Sequence, residues 1–199
     1  MKRIGLVAFV VIFAFTTLAN AGSISGKVAG VSGESVVYVE AIAGKIFPSP
    51  TAHAVMDQKA LLFQPSVLVI QQGATVDFQN SDTVAHNVAW SSVGGNKRFA
   101  HNMGTWPKGE KRSFTFDNPG AIPLMCYVHP EMEAHIIVSP TPYFAETDKS
   151  GSYKIKDVPD GSYTVTAWNA GAKGQSKPVI VSGDGTADFT LTKLATVGH

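Results

Sequence analysis

The stretch Ala121-Ile122-Pro123-Leu124-Met125-Cys126-Tyr127-Val128-His129-Pro130-Glu131-Met132 decides how the rest of the chain is read. An apolar run ends in the only cysteine, and a histidine and then a methionine follow within the next six residues. A thiolate, an imidazole and a thioether on one short loop after a strand make a soft donor set. With a second imidazole they are the three strong ligands and one weak axial ligand of a mononuclear copper electron-transfer site. A lone histidine or methionine carries no such meaning; three different soft donors on one loop do.

The cysteine count agrees with this. Lys2 and Arg3, an apolar run over residues 4–18 and the small residues Ala19-Asn20-Ala21 open the chain. That is the pattern of a secretory signal peptide over residues 1–21, too short and wrongly flanked for a stable membrane anchor. Cleavage after Ala21 predicts an exported protein, periplasmic or secreted, with no membrane span afterwards. A single free thiol is a liability in an oxidising compartment, and ligation to a metal explains its presence. Loss of the leader takes the basic count from 16 to 14, against 15 acidic residues. The resulting net charge of about −1, without a basic face, argues against a nucleic-acid partner.

Helix signals are nearly absent. Short β-branched and aromatic runs alternate with Gly, Pro, Asn, Asp and Ser, which predicts an all-β sandwich or barrel. Strands are expected at 24–28 and 36–42, followed by a connector over 44–53. From Ala54 they are expected at 60–63, 67–70, 74–79, 86–90, 113–116 and 134–138. Residues 91–111 read as a polar, Gly-rich surface excursion. After Pro140, strands are expected at 143–146, 152–155, 162–168, 177–181 and 187–191. The turns between these last strands use Gly for positive φ and Asp to cap the bend. Asp148-Lys149-Ser150-Gly151 is such a turn, since it lacks the further oxygen ligands of a calcium loop.

A fourth ligand must come from elsewhere, and His53, His86, His101, His135 and His199 are available. His86 is the best placed. It follows a strand and a turn, so a second sheet corner can bring it beside the cysteine loop. Asn87 carries a short amide that can hydrogen-bond across to the loop and hold the site closed, a support such sites need. His101 reads as a solvated loop residue, and His53 and His199 as a connector and a tail.

Leu62-Phe63-Gln64-Pro65, Gly73-Ala74-Thr75-Val76-Asp77-Phe78-Gln79-Asn80, Ala85-His86-Asn87-Val88 and Cys126-x2-His129-x2-Met132 together resemble the cupredoxins. The two-residue gap between His129 and Met132, with Pro130 in it, is most similar to amicyanin. The resemblance covers residues 54–139. It implies a Greek-key β-sandwich holding one type 1 copper, with His86, Cys126 and His129 as trigonal ligands and Met132 as the axial one. Two residues depart from the pattern: Pro123 sits in the strand before the cysteine, and Ala85 replaces a proline. Neither removes a ligand.

The C-terminal part resembles the carboxypeptidase regulatory-like (prealbumin-like) β-sandwich. The resemblance rests on Thr147-Asp148-x2-Gly151-x-Tyr153 and Val158-Pro159-x-Gly161-x-Tyr163. That family begins with strands similar to Gly22-Ser23-Ile24-Ser25-Gly26-Lys27-Val28 and Val36-Val37-Tyr38-Val39. The expected organisation is therefore a cupredoxin domain over 54–139 inserted in a discontinuous sandwich of 22–46 with 140–195. The arrangement is also similar to methylamine-utilisation-type cupredoxins.

Two nitrogens, a thiolate and a weak thioether on a rigid sandwich suit both copper oxidation states, so little reorganises when an electron moves. Catalysis needs an open coordination position or a second metal. No His-x-His pair is present, and one cysteine cannot build a two-thiolate centre. Gly-x-Ser-x-Gly and His-Glu-x2-His motifs are also missing. These features predict a non-enzymatic one-electron carrier between redox partner proteins. By family analogy His129 is the electron port, and Pro130, Trp106 and Pro107 form a small apolar docking patch. Two alternatives stay open: a copper delivery protein, and a carbohydrate-contacting sandwich with a structural copper.

Overall fold

Residues 21–195 are described by the computed structural model, and among them no α-helix occurs. The first strands are β1 (Ala21–Ala29) and β2 (Ser35–Val39). A middle block opens with β3 (Ala54–Lys59), β4 (Leu62–Gln64), β5 (Val67–Gln71) and β6 (Ala74–Asn80). It continues through β7 (His86–Trp90), β8 (His101–Trp106), β9 (Lys111–Phe116), β10 (Gly120–Met125) and β11 (Glu133–Ser139). The last block holds β12 (Phe144–Glu146), β13 (Ser152–Pro159), β14 (Gly161–Asn169) and β15 (Ala172–Lys173). It ends with β16 (Gln175–Val181), β17 (Asp184–Thr186), β18 (Phe189–Thr190) and β19 (Thr192–Lys193).

In the middle block, alternation sets which side chains turn inward. Ala74, Val76, Phe78 and Asn80 of β6 are all buried, as period-two side-chain placement requires. The block forms two sheets, ordered β4-β3-β6-β9 and β5-β11-β10-β7-β8. Met56, Val76 and Phe78 from the first meet Val88, Trp90, Ile122, Leu124 and Ile136 from the second in one core. Each such side chain contributes about 1.5–3 kcal/mol on burial.

Strands β1 and β2 pair with the last block instead, in sheets ordered β13-β1-β17 and β12-β2-β14-β16. Ile24, Val37 and Val39 pack with Tyr153, Ile155 and Val165 in a second core. A third, smaller cluster joins the two: Val36 meets Val67 and Ile137, with Tyr38, Val69 and Trp168 packed around them.

Several sequence expectations change. Residues 60–63 are not one strand, because Ala60 and Leu61 take φ of 54° and 58° and form the turn between β3 and β4. The strand expected over 36–42 stops at Val39. The excursion over 91–111 contains β8, which pairs with β7 from His86↔Trp106 to Trp90↔His101. The turn between the strands expected at 177–181 and 187–191 carries β17, parallel to β1. Pro123 lies within β10, which pairs with β7 only at Leu124 and Met125. Asp148 does form a turn: its Oδ1 accepts from the backbone N–H groups of Ser150 and Ser152 at 2.8 and 2.9 Å. The leader reading falls on residues outside the described ones, Ala21 apart, and so does His199. No helix of the described residues is long and apolar enough to cross a membrane.

Candidate metal centre

The site is assembled at one end of the middle block, from the β6–β7 turn and the β10–β11 loop. Asn80, at the end of β6, is buried and organises the turn. Its Nδ2 donates to the carbonyls of Val84 and Trp106 at 2.9 and 3.0 Å, and its Oδ1 accepts from the Asp82 N–H at 2.9 Å. The turn thus delivers His86 to the start of β7, where it is 0% exposed. The Nε2 of His86 lies 3.1 Å from Oδ2 of Asp82. That carboxylate also accepts from the Leu61 and Thr83 N–H groups, each at 2.8 Å. These two backbone bonds, and after them His86, bring the Asp82 pKa down to about 2.

Across the gap, the loop after β10 closes on itself. The Cys126 N–H donates to the Met132 carbonyl at 3.3 Å and the Met132 N–H to that of His129 at 3.0 Å. This bend turns Cys126 and His129 to the same side. Nδ1 of His129 lies 3.0 Å from Nδ1 of His86 and 3.9 Å from Sγ of Cys126. All three donor atoms fall within 4.8 Å of one another. Met132 is 0% exposed and shares the core cluster that holds Cys126.

Asn87 ties the two segments together. Its backbone N–H donates to Sγ of Cys126 at 3.3 Å, and its Oδ1 accepts from the Tyr127 N–H at 3.3 Å. Its Nδ2 donates to Oδ1 of Asn102 at 2.8 Å and to the Gly104 carbonyl at 2.9 Å. The β7–β8 register shifts between Asn87 and Ala89, a bulge of the kind that re-aims side chains beside functional sites.

This geometry fits one metal ion. Metal–ligand bonds of about 2.0–2.3 Å to nitrogen and sulfur place neighbouring donors roughly 3–4 Å apart. His129 Nδ1 meets that spacing to both His86 Nδ1 and the buried Cys126 thiol, at 3.0 and 3.9 Å. Two histidines and a cysteine in a plane with a weak thioether are a donor set for copper.

The sequence motifs do not single out Asp82. The available signal was its four-residue spacing from His86 across the β6–β7 turn. The remaining histidines have other surroundings. His53 Nδ1 lies 2.9 Å from Oδ1 of Asp77. His101 is exposed but lies in β8 rather than in a loop, with its ring centroid 5.1 Å from Trp90 and 4.9 Å from Phe114. His135 packs on Trp168 at 5.1 Å. Trp106 is 1% exposed, so it cannot belong to a docking patch. Tyr127 and Val128, 62% and 50% exposed, flank His129 instead.

Residues 50–139 match the family model described as copper binding proteins, plastocyanin/azurin family. Residues 138–189 match the one described as polysaccharide lyase family 4, domain II. That description differs from the carboxypeptidase regulatory-like sandwich that the C-terminal motifs resemble. Among solved structures, the chain is similar to a purple cupredoxin from Nitrosopumilus maritimus. The two are 26% identical over 43% of this chain and 99% of that one, with a TM-score of 0.39. A reduced Cu(I) amicyanin variant at pH 4 is 23% identical over 45% of this chain and 85% of that one, at a TM-score of 0.41. A copper-containing nitrite reductase from Thermus scotoductus SA-01 is 26% identical over 50% of this chain and 25% of that one, also at 0.41. This last similarity corrects one expectation. An enzyme stands among the structures that match, so the exclusion of enzymatic function read from the sequence does not hold.

Proposed function

We propose, from a chain that carries a cupredoxin-like copper-binding domain over residues 50–139, that this protein passes single electrons between redox partner proteins. The observation that carries this reading is the convergence of His86 Nδ1, Cys126 Sγ and His129 Nδ1 within 4.8 Å. His86, Cys126 and His129 would hold the copper, with the buried Met132 thioether as a weak fourth donor. One-electron exchange between Cu(I) and Cu(II) is the chemistry copper supplies in such a set. The chain's own residues do the rest. Buried Asn87 pins the thiol and the Tyr127 backbone, so the donors keep their positions as the charge changes. His86 is enclosed, whereas His129 is half-buried beside exposed Tyr127, Val128 and Pro130. His129 is therefore the ring edge through which a partner would exchange the electron, over a small apolar contact.

The pairing of β1 and β2 with strands beyond Pro140 supports a further part of the reading. The copper domain is an insertion into a sandwich of residues 22–46 and 140–195. The leader over residues 1–21 would export the whole to the periplasm or beyond.

The test is the visible spectrum of copper-loaded protein. An intense thiolate-to-copper band that reductant bleaches and oxidant restores is expected, together with a reversible voltammetric wave. Cys126→Ser should be colourless with copper present. A Cys126→Ser protein that stayed coloured would refute the ligand set, and copper uptake without a redox wave would refute the carrier role.

A further inference from the structure

Asp82 stands apart from the donor set but touches it. Its Oδ2 lies 3.1 Å from Nε2 of His86, on the side of the ring away from His129 and Cys126. A carboxylate only accepts hydrogen bonds, and a neutral imidazole has one N–H and one lone pair. The contact therefore places the His86 proton on Nε2. It leaves the Nδ1 lone pair facing the thiol and the second imidazole.

The carboxylate cannot swing away. Oδ1 is held by the Thr83 N–H and Oδ2 by the Leu61 N–H, both at 2.8 Å. The second of these bonds comes from the tip of the β3–β4 hairpin, where Ala60 and Leu61 both sit at positive φ. Two successive residues without the freedom of glycine rarely adopt this conformation. Here it aims the Leu61 N–H at Asp82. The Asp82 backbone is fixed as well, since its N–H donates to the Gln58 carbonyl at 3.0 Å and to Asn80 Oδ1 at 2.9 Å.

We propose that Asp82 is a positioning residue for the copper site. Clamped by the β3–β4 hairpin tip, it sets the tautomer and ring orientation of His86 and lends the ligand negative charge. The inference rests on the copper reading above. Its charge favours the more positive oxidation state of a metal bound to Nδ1, so removing that charge moves the midpoint potential to a more positive value.

The experiment uses the full chain as wild type, Asp82→Asn and Asp82→Ala. Nitrogen-15 NMR of the metal-free proteins reads the His86 tautomer, and competition titration and voltammetry read copper affinity and potential. Asp82→Ala is expected to lose the uniform Nε2–H tautomer and to bind copper about ten- to a hundred-fold more weakly. Asp82→Asn can still accept from Nε2, so it should keep the tautomer yet show a more positive potential. If Asp82→Ala fails to fold, the potential of Asp82→Asn decides alone. Folded variants with wild-type tautomer, affinity and potential would overturn the role of Asp82 while leaving the copper site standing. A wild-type protein that took up no copper would overturn the copper reading, and this inference with it.

Discussion

Asn87 and Asp77 show how single polar residues hold the copper-domain sandwich at fixed points. Asn87 uses both polar groups of its side chain, which alone joins β7, β8 and the cysteine loop. Asn87→Ala leaves the Tyr127 N–H and the Gly104 carbonyl without these partners, at a cost of about 1–3 kcal/mol. Urea unfolding of the metal-free protein measures that loss, and an unchanged midpoint would contradict it. Asp77 accepts from Lys111 at 2.6 Å, Ser113 at 2.6 Å and His53 at 2.9 Å. The Lys111 bond first, then Ser113 and His53, hold its carboxyl well below the usual carboxylate range. A depressed carboxylate pKa stabilises the fold above the unfolded value near pH 4 and loses that contribution as the pH falls below it. Stability of the wild type should therefore drop more steeply between pH 5 and pH 3 than that of Asp77→Asn. Parallel unfolding curves of the two proteins at those pH values would remove Asp77 from the acid response.

At the scale of elements, the β3–β4 hairpin and β8 are the pieces that local pattern misreads. Ala60-Leu61 runs into Leu62-Phe63, and without Gly or Asn nothing in it announces a turn. The turn forms because β3 is fixed parallel to β6 and β4 must fold back on it. Left-handed backbone costs an L-residue about 1–2 kcal/mol. Ala60→Gly should consequently leave stability unchanged or raise it by up to about 1 kcal/mol, whereas β-branched Ala60→Val should lower it by about 1–2 kcal/mol. Thermal unfolding of the two variants tests this, and a stable valine variant would contradict the strain. β8 escapes detection for a different reason. Met103 and Trp106 fall on opposite parities of the strand, so alternation is lost. Only pairing with β7 makes the segment a strand.

Across the whole molecule, the two sandwiches meet over Val36, Val67 and Ile137, with His135 of β11 packed on Trp168 of β14. Burial pushes the His135 pKa below its ordinary value, with Glu133 opposing. On the other side of this junction, burial, with Glu34 adding to it, pushes the Glu146 carboxyl up. For His135 the folded state disfavours the proton. Stability is therefore complete above the unfolded value near pH 6.5 and falls as the pH drops below it. Between pH 7.5 and pH 5.5, wild-type stability should fall more than that of His135→Leu. Equal losses would show that His135 does not titrate at this junction.

What the sequence determined by itself was local: the all-β class, the turns that glycine and aspartate impose, and a soft-donor loop whose spacing lies within seven residues. Such features are legible because backbone preference and short-range spacing act over a few residues. That Asp82 stands behind His86 was decided by tertiary structure. Tertiary structure also brought together His86 with that loop, and β1 and β2 with strands more than a hundred residues away, pairings that the sequence offered only as expectations. Those placements depend on which sheets share a core, and burial of apolar faces selects among pairings that local pattern leaves equivalent.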